Sequence, residues 1–573
     1  MPSTHTASQT FSNLDYQRVD TDKLQSQFLA LLASFRSAQT VDSQMEFLLK
    51  INDLRLEFSA MASLAHIRHT MDTEDEFYAA EHHFYDTVTP SIQQLENDFY
   101  EALRLAPNQQ ALQEKWGPQL FRIADCSAKT TSNDVIEDLQ QENLLITEYM
   151  RLKATAKIDF QGNTYNLSQL RPLEESSDRS VRREAARAKW SFYESKSEAL
   201  DNLFDKLVNR RHQIARKLGY DNYIQLGYNR LLRSDYGHEE VASFREQIAM
   251  HVVPLAQSLY ERQRERIGLD QLHFYDIDYR FPSGNPKPKG DPEWIIREAS
   301  SMYQELSPET DRFFTFMQDH QLMDLVSRTN KATGGYCTYL PIFQLPFIFS
   351  NFNGTAGDLF VLTHEAGHAF QIFNSRKQPI LEYVWPTYEA CEIHSMSMEF
   401  FTWPWMKRFF GEETDKYLFM HLASAIRFLP YGAAVDAFQH KVYEQPEATP
   451  EDRHGFWREI QSTFLPHLAD EEAPAFLQKG GLWQEQNHIY ASPFYYIDYV
   501  LAQICAFQFW ERSRSDFSGA WKDYLHLCKQ GGSHSFLELV GIAGLDSPFD
   551  PGCLERTIAS VAGYLDQIDD RTL

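Results

Sequence analysis

The sequence is poor in cysteine and contains no long apolar run. Its six cysteines stand singly in 573 residues, without the spacing of a disulfide framework or of a thiolate zinc site. No run of about 18 apolar residues is present that would span a membrane. Residues 1–23 lack the apolar segment of a signal peptide. We therefore expect a cytoplasmic protein without a membrane segment.

Basic residues are scarce relative to acidic ones. The chain has 54 Lys and Arg against 80 Asp and Glu, which gives a net charge of −26. Nucleic-acid phosphates require a basic binding face, so this balance argues against a nucleic-acid partner. The 43% hydrophobic and 14% aromatic contents are those of a globular protein. At this length we expect more than one lobe, in a monomer or a weak homo-oligomer.

Helical patterns dominate the chain and predict a mostly α fold. Residues 15–155 contain long amphipathic stretches, and helical patterns resume over residues 178–267. Between them, residues 156–167 read as a short β-hairpin with a Gly-containing turn. We therefore predict an N-terminal helical lobe over residues 1–175 and a second, catalytic domain over residues 176–573.

The most informative motif is His364-Glu365-Ala366-Gly367-His368. Residues four apart lie on one face of an α-helix, so the two imidazoles can bind one metal ion while Glu365 reaches its open side. Two nitrogen ligands, a carboxylate base and room for a water are what a zinc hydrolase requires. The alternative interpretation is a pair of hydrogen-bonded core histidines.

The residues around this motif predict a buried helix. Thr355 and Asp358 form a capping-box pattern that begins the helix about two turns before the first histidine. Apolar residues dominate positions 359–362 and 369–373, so the helix has little polar surface. Burying two imidazoles and a carboxylate there is costly unless they are paired or bound to a metal.

A third metal ligand is expected from a second predicted helix, which lies between Pro386 and Pro404. Three carboxylates fall on one face of that helix among apolar residues, and the helix also carries two further residues of ligand type. The carboxylates are Glu389, Glu392 and Glu399, and the other two residues are Cys391 and His394. One carboxylate binding zinc and another accepting a ligand imidazole N–H would offset the cost of burying them. The alternative is a solvated acidic stripe.

Residues 355–370 and 391–400 are similar to the thimet oligopeptidase and oligoendopeptidase F family, zinc metallopeptidases that cut short peptides. The resemblance implies one Zn²⁺ per chain, with His364, His368 and Glu392 as ligands. It implies that Glu365 is the catalytic base. By the same resemblance Glu399 supports a ligand, whereas Glu389 remains an alternative third ligand.

A later tyrosine-rich segment, beginning at residue 487, resembles the stretch with which this family binds the substrate carbonyl and stabilises the oxyanion. The shared spacing places His488 and Tyr499 in those roles, with Tyr496 close behind. The register leaves Tyr490 and Tyr495 as alternatives. Ordinary packing of hydrogen-bonded tyrosines is the other interpretation.

The likeness covers about residues 120–560 and implies an elongated, two-lobed zincin-type metallopeptidase. Its small β-sheet would lie beside the zinc helix, and the metal would lie at the floor of a deep substrate channel. Residues 334–339 and 346–352 predict a strand pair there. Its edge either binds an extended peptide by strand addition or is a simple structural hairpin.

These features predict a zinc-dependent oligoendopeptidase that hydrolyses internal bonds of short unstructured peptides, with Glu365 activating a zinc-bound water. One alternative is a zinc dipeptidyl carboxypeptidase of related fold, which would require a free substrate C-terminus. The other is a non-catalytic peptide-binding protein, which would bind peptides without cutting them.

Overall fold

The structure is a computed structural model and describes residues 10–573. The expectation that residues 1–23 contain no signal peptide therefore lies partly outside the described residues.

The first part of the chain consists of amphipathic helices followed by a hairpin and one more helix. The helices predicted within residues 15–155 and the hairpin predicted within residues 156–167 are confirmed. The elements are α1 (Thr21–Ser37), α2 (Val41–Met71), α3 (Glu76–Arg104), α4 (Gln109–Trp116), α5 (Gln119–Ser127), α6 (Ile136–Ala154), β1 (Ile158–Phe160), β2 (Asn163–Tyr165) and α7 (Leu167–Glu174).

The second part begins with a long helix. Asp178 caps its N-terminus, because the Asp178 side chain accepts hydrogen bonds from the backbone N–H groups of Ser180 and Val181. A loop over residues 281–290 interrupts the helices, as its Pro and Gly content predicts. The helices are α8 (Arg179–Lys217), α9 (Tyr223–Arg230), α10 (His238–Gln247), α11 (Val253–Arg266), α12 (Pro292–Leu306) and α13 (Pro308–Asp319).

A three-stranded sheet follows, and the predicted strand pair forms two of its strands. The strands are β3 (Met323–Val326), β4 (Tyr336–Leu340) and β5 (Leu345–Phe352), in the order β3-β5-β4. The central strand β5 pairs parallel with β3 and antiparallel with β4. Strand β3 was not predicted because its four residues are too few to show a period. In this sheet β4 has only one paired neighbour.

The helix after the sheet, α14 (Gly357–Ser375), carries the His-Glu-x-x-His motif. The predicted capping box is wrong, because the Asp358 carboxylate accepts the backbone N–H groups of Asn353 (2.9 Å) and Gly354 (2.8 Å). Asp358 thus fixes the loop that leads from β5 into the helix. The helix still begins about two turns before His364.

The remaining helices complete the core around α14. The predicted helix between Pro386 and Pro404 is confirmed, with Thr387 at its N-cap. The helices are α15 (Tyr388–Phe401), α16 (Met406–Phe410), α17 (Thr414–Glu444), α18 (Pro450–Phe464), α19 (Ala475–Gln478), α20 (Asn487–Ala491), α21 (Tyr496–Ser515), α22 (Phe517–Gln530), α23 (Phe536–Ile542) and α24 (Cys553–Leu565).

The protein is 71% helical with two small sheets in the described residues, so the predicted fold class is confirmed. One apolar cluster lies mostly within residues 19–124 and includes Ile380 and Tyr383, while the largest cluster runs through α14, α15 and α21. The division of the chain at residue 175 stays a prediction. The six cysteines are free thiols.

One helical stretch, within Leu381–Glu444, is long and apolar enough to meet the criterion for a membrane span. However, 78% of its 18-residue apolar window is buried inside the fold. Such burial is typical of a core helix, which has no polar face to turn toward water.

Helices α14 and α15 approach closely at Gly367. A Cβ atom built on this glycine would lie 2.6 Å from the Cα of Ser395 and 2.7 Å from the carbonyl oxygen of His394. Backbone atoms of α15 thus occupy the space that any side chain at position 367 would need. A glycine is therefore required in the middle of the motif, and it sets the distance between the two helices that carry the site.

We predict that Gly367→Ala destabilises the protein by about 1–3 kcal/mol, the usual cost of overpacking a core. The matched control is Gly563→Ala in α24, where an added Cβ meets nothing within 4 Å and alanine is the better helix former. Urea unfolding measures both variants. If Gly367→Ala were as stable as Gly563→Ala, the close approach of α14 and α15 would not require a glycine at position 367.

Candidate metal centre and active site

Two histidines of α14 and one carboxylate of α15 converge. The Nε2 atoms of His364 and His368 lie 3.2 and 3.3 Å from Oε2 of Glu392. One ligand atom from each residue lies within 4.8 Å of the other two. The four-residue spacing on α14 and the close crossing at Gly367 produce this convergence.

A hydrogen-bond relay orients the first histidine. Trp403 donates its indole N–H to Nδ1 of His421 (2.8 Å), so the proton of that imidazole is on Nε2. His421 Nε2–H then donates to Oε2 of Glu399 (2.7 Å), and Oε1 of Glu399 accepts Nδ1–H of His364 (2.8 Å). The relay leaves the Nε2 lone pair of His364 directed at Glu392 and available to a metal.

Glu392 is held in place by two hydroxyl groups. Ser395 donates to its Oε2 (2.8 Å), and the Tyr495 hydroxyl donates to its Oε1. Tyr495 was one of the tyrosines considered for oxyanion stabilisation. In the structure its hydroxyl is used to orient the carboxylate of Glu392.

The carboxylate of Glu365 faces the same space. Its side chain is buried, and Oε2 has no hydrogen-bond partner in the described part of the chain. Burial raises the pKa of this carboxyl above its ordinary value, although the two imidazoles oppose that shift. A Cβ on Gly335 would lie 3.4 Å from Oε1, so this glycine, which directly precedes β4, leaves room beside the carboxylate.

The other ligand-type residues of α15 point elsewhere. Both carboxylate oxygens of Glu389 are buried, and neither has a hydrogen-bond partner among residues 10–573. Burial, with Asp498 nearby, raises the Glu389 pKa well above the usual value. The thiol of Cys391 donates to the Pro386 carbonyl (3.5 Å). Nδ1 of His394 lies 2.6 Å from the carbonyl oxygen of Ala390. None of these side chains joins the cluster around Glu392.

His488 and Tyr499 lie beside the cluster and contact each other. His488 Nε2 is 3.3 Å from the Tyr499 hydroxyl oxygen, and burial lowers the His488 pKa to about 4. Tyr496 also packs against the imidazole, with ring centroids 5.0 Å apart. Tyr490 lies in the core, stacked on Tyr149 at 3.9 Å.

One cavity of about 630 Å³ is lined by the residues of this site, namely His364, Glu365, His368, Glu392, His488, Tyr495 and Tyr499. Its wall combines the candidate site with residues of the N-terminal helices, the edge strand and the loop before α15. They include Ser59, Tyr100, Gln119, Ile123, Tyr336, Cys337, Trp385 and Tyr388. Tyr496 instead lines a neighbouring cavity of about 320 Å³, which His488 and Tyr499 also border. The N-terminal helices therefore contribute to the space in front of the candidate metal ligands.

The residues present fit a zinc ion. Two imidazole nitrogens and one carboxylate oxygen form a three-residue donor set of the kind found in catalytic zinc sites. The unpartnered oxygen of Glu365 marks the open side of this set. His364, His368 and Glu392 would hold the ion.

Sequence analysis missed the residues that support the ligands. Ser395, His421 and Trp403 belong to no motif that the sequence displays by itself. The only available signal was the expectation that a ligand histidine donates its second N–H to a carboxylate, which indicated Glu399. His421 lies on another helix, so its contact depends on tertiary structure.

Comparison with known proteins gives consistent matches. The model for Peptidase family M3 matches residues 172–285 and 311–557, and that for the Peptidase M3 N-terminal domain matches residues 11–131. A crystal structure of PZ peptidase A with an inhibitor is 53% identical, covers 98% of this chain and all of that chain, and has a TM-score of 0.97. A Bacillus anthracis structure described as an oligoendopeptidase F is 49% identical, covers 99% and 100%, and has a TM-score of 0.94.

The sequence relatives are more distant. The oligoendopeptidase F homolog of Lactococcus lactis subsp. lactis is 24% identical over 383 residues, which are 65% of this chain and 61% of that protein. The match thus spans about three fifths of the length of this curated relative.

We predict that Glu399→Gln weakens zinc binding about 10–100-fold, the usual effect of removing a group that orients a ligand. An amide has one acceptor oxygen and cannot accept both imidazole N–H groups as the carboxylate does. Competition with a chromophoric chelator measures the affinity, with Glu447→Gln at an exposed position as the control. An unchanged zinc affinity in Glu399→Gln would show that the hydrogen-bond relay does not support the metal site.

Proposed function

Because the chain belongs to peptidase family M3, we propose that it is a zinc-dependent oligoendopeptidase that hydrolyses internal bonds of short, unstructured peptides. The observation that carries the proposal is the convergence of His364, His368 and Glu392 beside the free carboxylate oxygen of Glu365. Solved relatives about half identical over nearly the whole chain, one of them a peptidase with an inhibitor, support it.

The proposed chemistry assigns a separate task to each side chain. A zinc ion held by the three ligands would polarise the scissile carbonyl and lower the pKa of a water. Glu365 takes the proton from the attacking water and returns it to the leaving amine. Its raised pKa favours the first step, because a carboxylate of higher pKa is a stronger base.

His488 and Tyr499 are proposed to stabilise the oxyanion that forms when water attacks. Their facing polar atoms lie on the same cavity as Glu365, and donors at a developing oxyanion typically contribute about 2.7–4 kcal/mol each. Tyr496 packs against His488 and is proposed to assist from the adjacent cavity.

The edge strand offers a way to hold the substrate. Among the described strands β4 pairs only with β5, and Gly335, Tyr336 and Cys337 line the cavity with Glu365. An extended peptide paired with this strand would be held by its backbone, which accounts for tolerance of different side chains. Walls from both the N-terminal helices and the catalytic region would admit short, flexible chains and exclude folded proteins.

The two alternatives make different demands on the substrate. A dipeptidyl carboxypeptidase would need a free C-terminus, and a binding protein would leave peptides intact. We further propose that the protein is cytoplasmic, that it acts as a monomer or weak homo-oligomer, and that it binds neither nucleic acid nor a membrane.

The deciding experiment is mass spectrometry of a doubly blocked peptide of about ten residues incubated with the purified protein. We expect internal cuts that disappear after chelation and return with zinc. The matched peptide with a free C-terminus serves as comparison. Cutting of only the free peptide, two residues from its end, would favour the carboxypeptidase, and binding without cutting would favour the binding protein.

We predict that Glu365→Gln abolishes turnover while zinc stays bound, because the amide cannot accept the proton but leaves the three ligands intact. Peptide cleavage and metal content are measured on the same preparation, with Glu447→Gln as the control. Full activity in a preparation free of wild-type protein would exclude Glu365 as the base.

We also predict that Tyr499→Phe lowers kcat about 10²-fold or more with a smaller change in KM, because an oxyanion donor acts mainly in the transition state. Tyr490→Phe, which changes a hydroxyl in the core, is the comparison. An unchanged kcat in Tyr499→Phe would reject its assigned role.

A further inference from the structure

The imidazole of His488 has defined partners at both nitrogens. Its Nδ1 lies 2.7 Å from the side-chain nitrogen of Gln486, and its Nε2 lies 3.3 Å from the Tyr499 hydroxyl oxygen at the edge of the active-site cavity. A neutral imidazole carries one proton, so the partner at Nδ1 determines whether Nε2 is a donor or an acceptor.

The amide of Gln486 is itself oriented. The hydroxyl of Tyr431 donates to its Oε1 at 3.1 Å, which directs the NH₂ group at His488. An amide nitrogen only donates hydrogen bonds, so Nδ1 of His488 must accept. The ring proton is then on Nε2, on the side that faces Tyr499. Burial lowers the His488 pKa to about 4, so the ring is neutral near pH 7.

The backbone around Gln486 is anchored from helix α6. The Tyr149 hydroxyl lies 3.3 Å from the carbonyl oxygen of Gln484 and 3.1 Å from Oδ1 of Asn487. The ammonium of Lys153 donates to the Glu485 carbonyl and to the same Asn487 oxygen. The residues on both sides of Gln486 are therefore anchored, and its half-buried side chain bonds both Tyr431 and His488.

We propose that Gln486, oriented by Tyr431, is a positioning residue that keeps His488 in its Nε2–H form so that it donates to the substrate oxygen. This inference rests on the proposed peptidase function. It separates the roles of the two sides of the site: Glu365 moves the proton, and His488 contributes a fixed N–H dipole. With Nε2 as an acceptor, His488 would present a lone pair to the developing negative charge and oppose the reaction.

The test reverses the hydrogen bond between residue 486 and Nδ1 of His488 by replacing Gln486 with glutamate, a side chain of the same size. In Gln486→Glu a carboxylate faces Nδ1, so the ring proton moves to Nδ1 and Nε2 becomes an acceptor. Gln486→Leu removes the partner without imposing either form. The matched control is Gln503→Leu, because Gln503 lines the same 320 Å³ cavity and its buried amide nitrogen has no partner among the described residues.

Two readouts are needed, and the first is independent of activity. Nitrogen-15 NMR of histidine-labelled protein, with the His488 signals assigned by a His488→Gln variant, reports which nitrogen carries the proton. We expect Nε2–H in the wild type and in Gln503→Leu, and Nδ1–H in Gln486→Glu. A wild-type ring protonated on Nδ1 would overturn the inference.

Kinetics of peptide cleavage are the second readout. We expect kcat to fall by about 10²-fold in Gln486→Glu and less in Gln486→Leu, with KM changed less than kcat in both, and Gln503→Leu to stay within about twofold of the wild type. A Gln486→Glu enzyme with wild-type kcat would overturn the inference, as would an equal loss in Gln503→Leu. If the zinc-loaded wild type cuts no peptide, the proposed function fails, and the NMR result still decides the protonation of His488.

Discussion

The close crossing of α14 and α15 is the constraint on which the site depends. Gly367 lets the backbone of α15 approach to a distance that no side chain at that position would permit. At that distance the carboxylate of Glu392 reaches both imidazoles of α14, at 3.2 and 3.3 Å. A wider spacing would separate the three donors, and neither helix alone carries the full set.

Placing so many polar groups in a core has a large desolvation cost, and the surrounding hydrogen bonds offset it. Glu399 links His364 to His421, and Ser395 with Tyr495 holds Glu392. Each bond also fixes a direction, because the donor at one atom determines where the next proton lies. Three buried carboxylate oxygens here, Oε2 of Glu365 and both oxygens of Glu389, have no hydrogen-bond partner among the described residues, and of these two side chains Glu365 lines the cavity.

The sequence predicted the parts of this site that depend on local spacing. The four-residue step between His364 and His368 requires only a helix, and the amphipathic and turn patterns gave most element types. The choice among Glu389, Glu392 and Glu399 came from family resemblance, because all three share one helical face and only the crossing with α14 separates them.

Features set by tertiary contacts were not predictable. Asp358 matched a capping pattern but bonds the loop before the helix, since the sheet brings that loop within its reach. The sequence favoured Tyr499 and left Tyr495 as an alternative. In the structure Tyr495 bonds Glu392 whereas Tyr499 faces His488, a difference that depends on tertiary contacts. His421 and Trp403 are distant in sequence from the motif. The side chain of His421 reaches Glu399 from α17, and Trp403 joins through its bond to His421.

X-ray absorption at the zinc edge tests the account most directly. We expect one zinc per chain with only nitrogen and oxygen neighbours at about 2.0–2.2 Å, the distances typical of imidazole and carboxylate ligands. Substituting Glu392 by Ala should remove the ion or replace one protein ligand by water. A sulfur neighbour at about 2.3 Å, which would implicate Cys337 or Cys391, or a zinc site unaffected by loss of Glu392, would contradict it.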